Sequence, residues 1–215
     1  MSLTLYFHRL SSFCHKALIA LHENDTPFTP RLVDLRDEAD RAAFKAVWPI
    51  GKFPVLRDDA RDRTVPESTI IIEYLNDHYP GRTRLVQADA DLARQTRLAD
   101  RFFDLHIHMP MQKIMGDRLR PADKKDPHGV DEARALMRTE IGMVDRDMAT
   151  KTWATGDAFT MADCSAAPAL FYANMAQPFA DSHKHAGAYL QRLMARPSYA
   201  RALTEAEPYF HMVPK

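Results

Sequence analysis

One stretch decides the fold, residues 49–68, which read PIGKFPVLRDDARDRTVPES. Residues 53–56 are apolar, and the second of them is a proline, as is typical of the start of a β-strand. The charged residues 58–63 predict a turn, and Thr64-Val65 begin another strand. Because the connection is short, we expect the two strands to pair as an antiparallel hairpin. The hairpin leads directly into a predicted helix that starts at Glu67 and ends before Pro80-Gly81.

The residues before this stretch alternate between strand and helix patterns. Residues 3–8 alternate apolar and polar side chains and predict a first strand. Ser11 and Ser12 are typical helix-start residues, and a second strand is expected at 31–35, before a helix at 37–47. The predicted order is therefore β-α-β-α-β-β-α, with parallel pairing across the first crossover.

After Pro80 the strand pattern disappears and helical periodicity takes over. A long helix is expected over 89–119 with a bend at Pro110, and an amphipathic helix over 130–148. Residues 164–180 carry no charge, which predicts a helix buried at the centre of a bundle. Two shorter helices follow. The predicted organisation is an α/β domain at 1–80, a linker at 81–88 and an all-helical domain at 89–215.

Composition excludes several classes of function. The 215 residues are 46% hydrophobic and 27% charged, which is typical of a globular protein and not of a disordered one. The 29 basic and 29 acidic residues balance, so no excess charge favours nucleic-acid binding. Phosphate-cradling glycine patterns are absent from the sequence, which disfavours dinucleotide and P-loop chemistry.

The cysteines and the apolar runs indicate the compartment. Cys14 and Cys164 are too far apart for a C-x-x-C pair, and two cysteines cannot form a disulfide framework. No apolar run reaches the length of a membrane span, and the early His8-Arg9 is not typical of a secretory signal. We therefore expect a protein of a reducing, cytoplasmic compartment.

Four motifs occur in a family's order and spacing. They are residues 11–14 (Ser-Ser-Phe-Cys) after the first strand, residues 49–56, residues 66–68 (Pro-Glu-Ser) at a helix start, and residues 156–163. The second is similar to N-P-x-G-K-x-P-x-L with Trp48 for Asn, and the fourth to G-D-x-F/Y-S/T-x-A-D. Over nearly its whole length the chain resembles the cytosolic glutathione transferases, as a bacterial, serine-type member of unassigned class. The resemblance implies a thioredoxin-like domain, a helical C-terminal domain and a homodimer that acts in detoxification.

The resemblance implies that glutathione is the co-substrate and that residues 52–68 bind it. A helix N-terminus attracts a carboxylate, so Ser68 would hold the γ-glutamyl carboxylate and Glu67 its ammonium group. The alternative is that both residues only cap a helix. The resemblance also implies a cis peptide between Phe53 and Pro54 that turns the Phe53 backbone toward the ligand. Lys52 would reach the glycine carboxylate; alternatively, Pro54 only begins an edge strand.

By the same resemblance Ser11 is the catalytic residue. A free thiol has a pKa near 8.5, and a hydroxyl donor would lower it by about one to two units because hydrogen bonds to charged groups are strong. Ser12 is the neighbouring candidate, and either serine could serve only as a cap. Cys14 is either a reactive thiolate at a helix start or a small core residue. His15 and Lys16, next along the helix, are expected at the surface.

The remaining predicted residues lie in the helical half. A second-substrate pocket facing Ser11 would include His106, His108, Met109, Gln112 and Tyr172. Thr160 and Asp163 fit a capping box and are expected to be structural. No metal site is expected, because the His-x-His pairs would point to opposite sides of a helix.

The leading hypothesis is a transferase in which Ser11 stabilises the glutathione thiolate for attack on a small hydrophobic electrophile. One alternative is a thiol transferase or reductase acting through Cys14. Another is an isomerase that uses glutathione as a cofactor, since the zeta isomerases have a similar S-S-C-S motif, with cysteine where Phe13 stands. A third is a non-enzymatic ligand-binding or protein-interaction role. Candidate dimer-interface elements are helix four and the helix from Glu67; the electrophile is not identified.

Overall fold

The sheet of this computed structural model, which describes residues 2–214, has four strands in the order β2-β1-β3-β4. The strands are β1 (Leu3–Phe7), β2 (Thr29–Leu32), β3 (Val55–Asp58) and β4 (Arg63–Pro66). β1 pairs with β2 in parallel, and β3 pairs antiparallel with both β1 and β4. The predicted parallel crossover and the predicted hairpin are both confirmed.

The second strand differs from its prediction. It spans Thr29–Leu32 rather than 31–35, and Pro30 lies inside it opposite Leu5. β2 is an edge strand. Where the backbone N–H of an edge residue would point away from the sheet, a proline there removes no hydrogen bond between strands.

Three helices complete the α/β segment: α1 (Ser12–Glu23), α2 (Glu38–Val47) and α3 (Ser68–His78). α1 is almost entirely buried, and its buried residues include polar ones such as His15 and Lys16. The side chains of Ser11 and Asp37 cap α1 and α2 by accepting hydrogen bonds from backbone N–H groups.

The helical segment contains α4 (Ala90–Phe102), α5 (Met109–Arg118), α6 (Pro127–Met148), α7 (Met161–Ala176) and α8 (Lys184–Ala195). The single bent helix predicted over 89–119 is interrupted by a π-helical segment, Phe103–His108. Pro110 has no N–H to donate to the carbonyl of His106, so the regular α-helical ladder fails just ahead of it.

The N-terminus of α7 is held by a capping box formed by Thr160 and Asp163. The buried Asp163 carboxylate accepts from the N–H groups of Ala154 and Thr160, each at 2.8 Å, and from the Tyr189 hydroxyl at 2.6 Å. Burial raises the pKa of Asp163. Its loss would leave three buried donors without their acceptor, at a cost of about 1–3 kcal/mol each.

The last helix, α9 (Pro197–Ala206), packs on α1. Ser198 donates to Glu23 at 2.8 Å, and Arg9 pairs with Glu205 at 3.3 Å. The chain forms two compact units, residues 2–86 with Pro197–Phe210, and Gln87–Arg196 with residues 211–214. The domain limits read from the sequence, with a linker at 81–88, stay a prediction.

Candidate functional site

Strand register brings the first three motifs to one edge of the sheet. Tyr6 of β1 pairs with Val55 of β3, and Val55 pairs with Pro66 of β4. The chain therefore leaves β1 toward Ser11, enters β3 after Pro54 and leaves β4 toward Ser68 at the same edge. Segments far apart in sequence meet there because, in an antiparallel pair, one strand begins beside the end of its partner.

The turn between β1 and α1 presents Ser11 at a helix N-terminus. The Ser11 N–H donates to the His8 carbonyl at 3.1 Å, and Ser11 Oγ accepts from the N–H of Cys14 at 3.3 Å. A hydroxyl has one proton to donate and two lone pairs, so the cap uses only an acceptor position. Within residues 2–214 no group accepts from the Ser11 hydroxyl. Capping and donation to a thiolate are therefore compatible, whereas Ser12 is buried.

Cys14 is a core residue. Its side chain is fully buried, and its sulfur accepts a hydrogen bond from the N–H of His8 at 3.4 Å. Burial raises the pKa of Cys14 to about 12, because an apolar environment disfavours the thiolate. A protonated, enclosed thiol is a poor nucleophile, which argues against chemistry at this position.

The expectation that His15 and Lys16 lie at the surface is wrong. Both are completely buried. Lys16 Nζ donates to Thr69 Oγ1 at 2.7 Å, and the His15 ring contacts the Arg9 carbonyl through Nε2 at 2.6 Å. Lys16 thus ties α1 to the first turn of α3. No sequence pattern indicates this burial, since lysine in a helix is usually solvated.

The loop before β3 turns at Gly51. The Gly51 N–H donates to the Trp48 carbonyl at 2.9 Å, and its φ of 68° lies in the left-handed region that favours glycine. Lys52 is exposed, Phe53 is half-buried, and the peptide bond between Phe53 and Pro54 is cis. The Phe53 ring stacks on the His8 ring, with 5.8 Å between centroids.

Glu67 occupies an unusual backbone position ahead of α3. Its φ is 69°, which is rare and strained for a residue with a side chain. Its carbonyl accepts the first helical hydrogen bond, from Ile71 at 2.8 Å, but its exposed side chain makes no cap hydrogen bond. Ser68 beside it is buried. The interpretation that Glu67 is merely a side-chain cap is therefore not supported.

The five predicted second-substrate residues do not share one environment. His108 and Tyr172 are buried, whereas His106, Met109 and Gln112 are exposed. His106 pairs through Nδ1 with the buried carboxylate of Glu140 at 3.2 Å. Burial raises the pKa of Glu140, and the contact with His106 opposes that rise.

A cavity of about 520 Å³ lies elsewhere in the helical unit, between α4, the π-helical segment and the end of α6. Its size is within the range of small-molecule sites. It is lined by Leu98, Phe102, Met143, Val144 and Arg146 among others, and by none of the five predicted residues.

Residues 2–214 contain neither a candidate metal cluster nor a candidate membrane span. No three or more His, Cys, Asp or Glu side chains are grouped as a metal site would require. None of the helices within that range combines the length and the hydropathy of a membrane span.

Comparison with known proteins identifies the family. The glutathione S-transferase N-terminal domain matches residues 5–83, and the glutathione S-transferase C-terminal domain matches residues 104–197. The chain belongs to the glutathione S-transferase family. It is a glutathione S-transferase-like enzyme, with the thioredoxin-like fold and helical C-terminal domain of that family.

Relatives resemble the chain over most of its length. Glutathione S-transferase GstB of Escherichia coli K12 is 25% identical over 173 residues, 79% of this chain and 82% of that protein. A Methylobacillus flagellatus glutathione S-transferase solved with GSH bound has a TM-score of 0.84 at 20% identity, covering 94% of this chain and 98% of its own. A Methylobacterium radiotolerans enzyme in complex with glutathione sulfonate has a TM-score of 0.81 at 24% identity, covering 93% of each chain. These two structures support the fold.

Burial of Cys14 predicts its behaviour toward thiol reagents. In the native protein we expect neither Cys14 nor Cys164 to react with iodoacetamide at mildly alkaline pH, because both are enclosed. In denaturant both should react. Intact-mass analysis counts the labels. Rapid labelling of Cys14 in the native protein would contradict its assignment to the core and would support the thiol-transferase alternative.

Proposed function

We propose that the chain binds glutathione at the common sheet edge and activates its thiol for attack on a small hydrophobic electrophile. The observation that carries the proposal is the turn at Glu67. A strained, left-handed glutamate with an unused carboxylate stands before a helix N-terminus, at the edge that also carries Ser11. Strain of this kind is retained mainly at functional sites.

Each part of the tripeptide finds a matching group. The N-terminus of α3, with Ser68, suits the γ-glutamyl carboxylate, and the Glu67 carboxylate suits its ammonium group. The backbone of Phe53, before Pro54, suits strand-like pairing with the cysteinyl residue. Lys52 is exposed and suits the glycine carboxylate as a point charge.

Ser11 supplies the chemical step. Its hydroxyl proton is available, because the helix cap occupies only an oxygen lone pair. Donation to the sulfur stabilises the thiolate over the thiol and so raises the fraction of nucleophile at neutral pH. Proximity to a bound electrophile completes the rate enhancement.

Three of the five residues predicted for the second-substrate pocket remain candidates. His106, Met109 and Gln112 remain candidates because they are exposed, whereas His108 and Tyr172 are enclosed. Among the alternative reactions, isomerisation with glutathione as cofactor uses the same thiolate and stays open. Thiol transfer through Cys14 loses support because that sulfur is buried.

We also propose a cytoplasmic detoxification enzyme that is a homodimer. Two free, buried thiols suit a reducing compartment. Large apolar side chains are exposed on both candidate interface helices, Ile70 at 51% on α3 and Leu98 at 71% on α4. Such residues are typical of surfaces that a partner covers.

The glutathione site is tested by calorimetric titration with reduced glutathione. Combined Glu67→Ala and Ser68→Ala substitution should weaken binding at least about 100-fold, since two contacts to charged groups of the ligand are lost, each worth about 1.5–3 kcal/mol. Asp77→Asn, an exposed acid at the other end of α3, is the matched control and should bind as the wild type does. A folded wild-type protein that binds no glutathione would refute the proposal.

The role of Ser11 is tested by the ionisation of bound glutathione. In Ser11→Ala the thiol pKa in the complex should rise by about one to two units, and conjugation with a chlorodinitrobenzene at neutral pH should fall correspondingly. Ser12→Ala, at a buried neighbour, is the control. Unchanged activity in Ser11→Ala would remove the residue from the mechanism.

Sedimentation equilibrium tests the dimer. Ile70→Glu and Leu98→Glu should each halve the observed mass, because a buried unpaired carboxylate is costly. Leu119→Glu, at an equally exposed leucine, should leave it unchanged. A wild-type chain that sediments as a monomer would contradict the assignment.

A further inference from the structure

His8 makes three hydrogen bonds in the turn that precedes Ser11. Its N–H donates to Cys14 Sγ at 3.4 Å, and its carbonyl accepts from the Ser11 N–H at 3.1 Å. Its ring nitrogen Nδ1 accepts from the N–H of Leu10 at 3.2 Å. The imidazole is therefore folded back over the turn on which Ser11 stands.

These contacts define the tautomer. A backbone N–H can only donate, so Nδ1 is an acceptor and the neutral ring carries its proton on Nε2. Burial lowers the pKa of His8; Asp34 opposes that effect and Arg36 adds to it. The lowered pKa favours the neutral ring.

The Nε2–H group has no acceptor among the described residues. Nε2 is also not among the buried polar atoms that lack a partner, so it is open to solvent. One face of the imidazole stacks nearly parallel on the Phe53 ring, with an interplanar angle of 15°, and this contact orients the ring. The donor therefore belongs to a ring that contacts both the Ser11 turn and Phe53, whose backbone is proposed to pair with the cysteinyl part of glutathione.

We infer that the His8 Nε2–H donates a hydrogen bond to the glutathione sulfur, as a second donor beside the Ser11 hydroxyl. This inference rests on the proposed function. Two neutral donors lower the thiol pKa without adding a full positive charge. That suits catalysis, because the nucleophilicity of a thiolate falls as its pKa is lowered.

The test compares variants at position 8 by the ultraviolet absorbance of the bound thiolate, titrated against pH at saturating glutathione. His8→Phe keeps a ring to stack on Phe53 and removes the donor. His8→Gln returns an N–H near the Nε2 position, whereas His8→Asn places one near Nδ1. His128→Phe, whose side chain is 87% exposed on α6, is the matched control.

We expect the thiol pKa in the complex to rise by about one unit in His8→Phe and His8→Asn. It should return toward the wild-type value in His8→Gln and stay unchanged in His128→Phe. If His8→Phe does not fold, the comparison of Gln with Asn carries the same information.

Two results would overturn the inference. One is a thiol pKa that is equal in the wild type and in all position-8 variants. The other is an equal shift in Gln, Asn and Phe together with equal losses of thermal stability, which would make the role structural. A wild-type complex whose thiol titrates like free glutathione would instead refute the proposed function, so the two failures are distinguishable.

Discussion

The central position of β3 next to β1 is the constraint on which the site depends. β3 pairs antiparallel with both β1 and β4. The C-terminal ends of β1 and β4 therefore lie beside the N-terminal end of β3, at one edge of the sheet. Two helices begin at that edge, and the first N–H groups of a helix have no intrahelical acceptor. A peptide-like anion with a thiol can be held there by backbone geometry, with only a few side chains added for chemistry.

Capping and the proposed donation to the thiolate use different parts of the same hydroxyl at Ser11. The cap orients the oxygen through the Cys14 N–H and leaves the proton free. Glu67 behaves differently, because it holds a strained backbone conformation and gives its side chain no capping role. These two positions explain why a sequence reading could not choose between cap and ligand site. Both residues stand where caps stand, and only the geometry shows that the Ser11 side chain caps its helix and that the Glu67 side chain does not.

The order of strands and helices was predictable because it follows from period-2 and period-3.6 patterns with proline and serine at the ends. The second strand was misplaced, since a proline is excluded only from strands paired on both sides and β2 lies at an edge. The sequence predicted a bend at Pro110 and not the π-helical segment that precedes it. Its form depends on how the chain compensates for the N–H missing at Pro110, which periodicity does not encode.

Burial was the least predictable feature. Lys16 and His15 are enclosed because α1 is covered on every side, by the neighbouring α3 and by α9 from the far end of the chain. The exposed or buried state of the five second-substrate candidates likewise depended on contacts between distant helices. His8 could have been noticed, since it directly follows β1 at the predicted sheet edge, but its role depends on a tautomer that only hydrogen bonds reveal.

The most direct test of this account is a crystal structure of the protein with reduced glutathione. The account predicts the sulfur within hydrogen-bond distance of Ser11 Oγ and the γ-glutamyl carboxylate on the N–H of Ser68, with the ammonium group on Glu67. Glutathione bound at another surface, or with its sulfur directed away from Ser11, would contradict it.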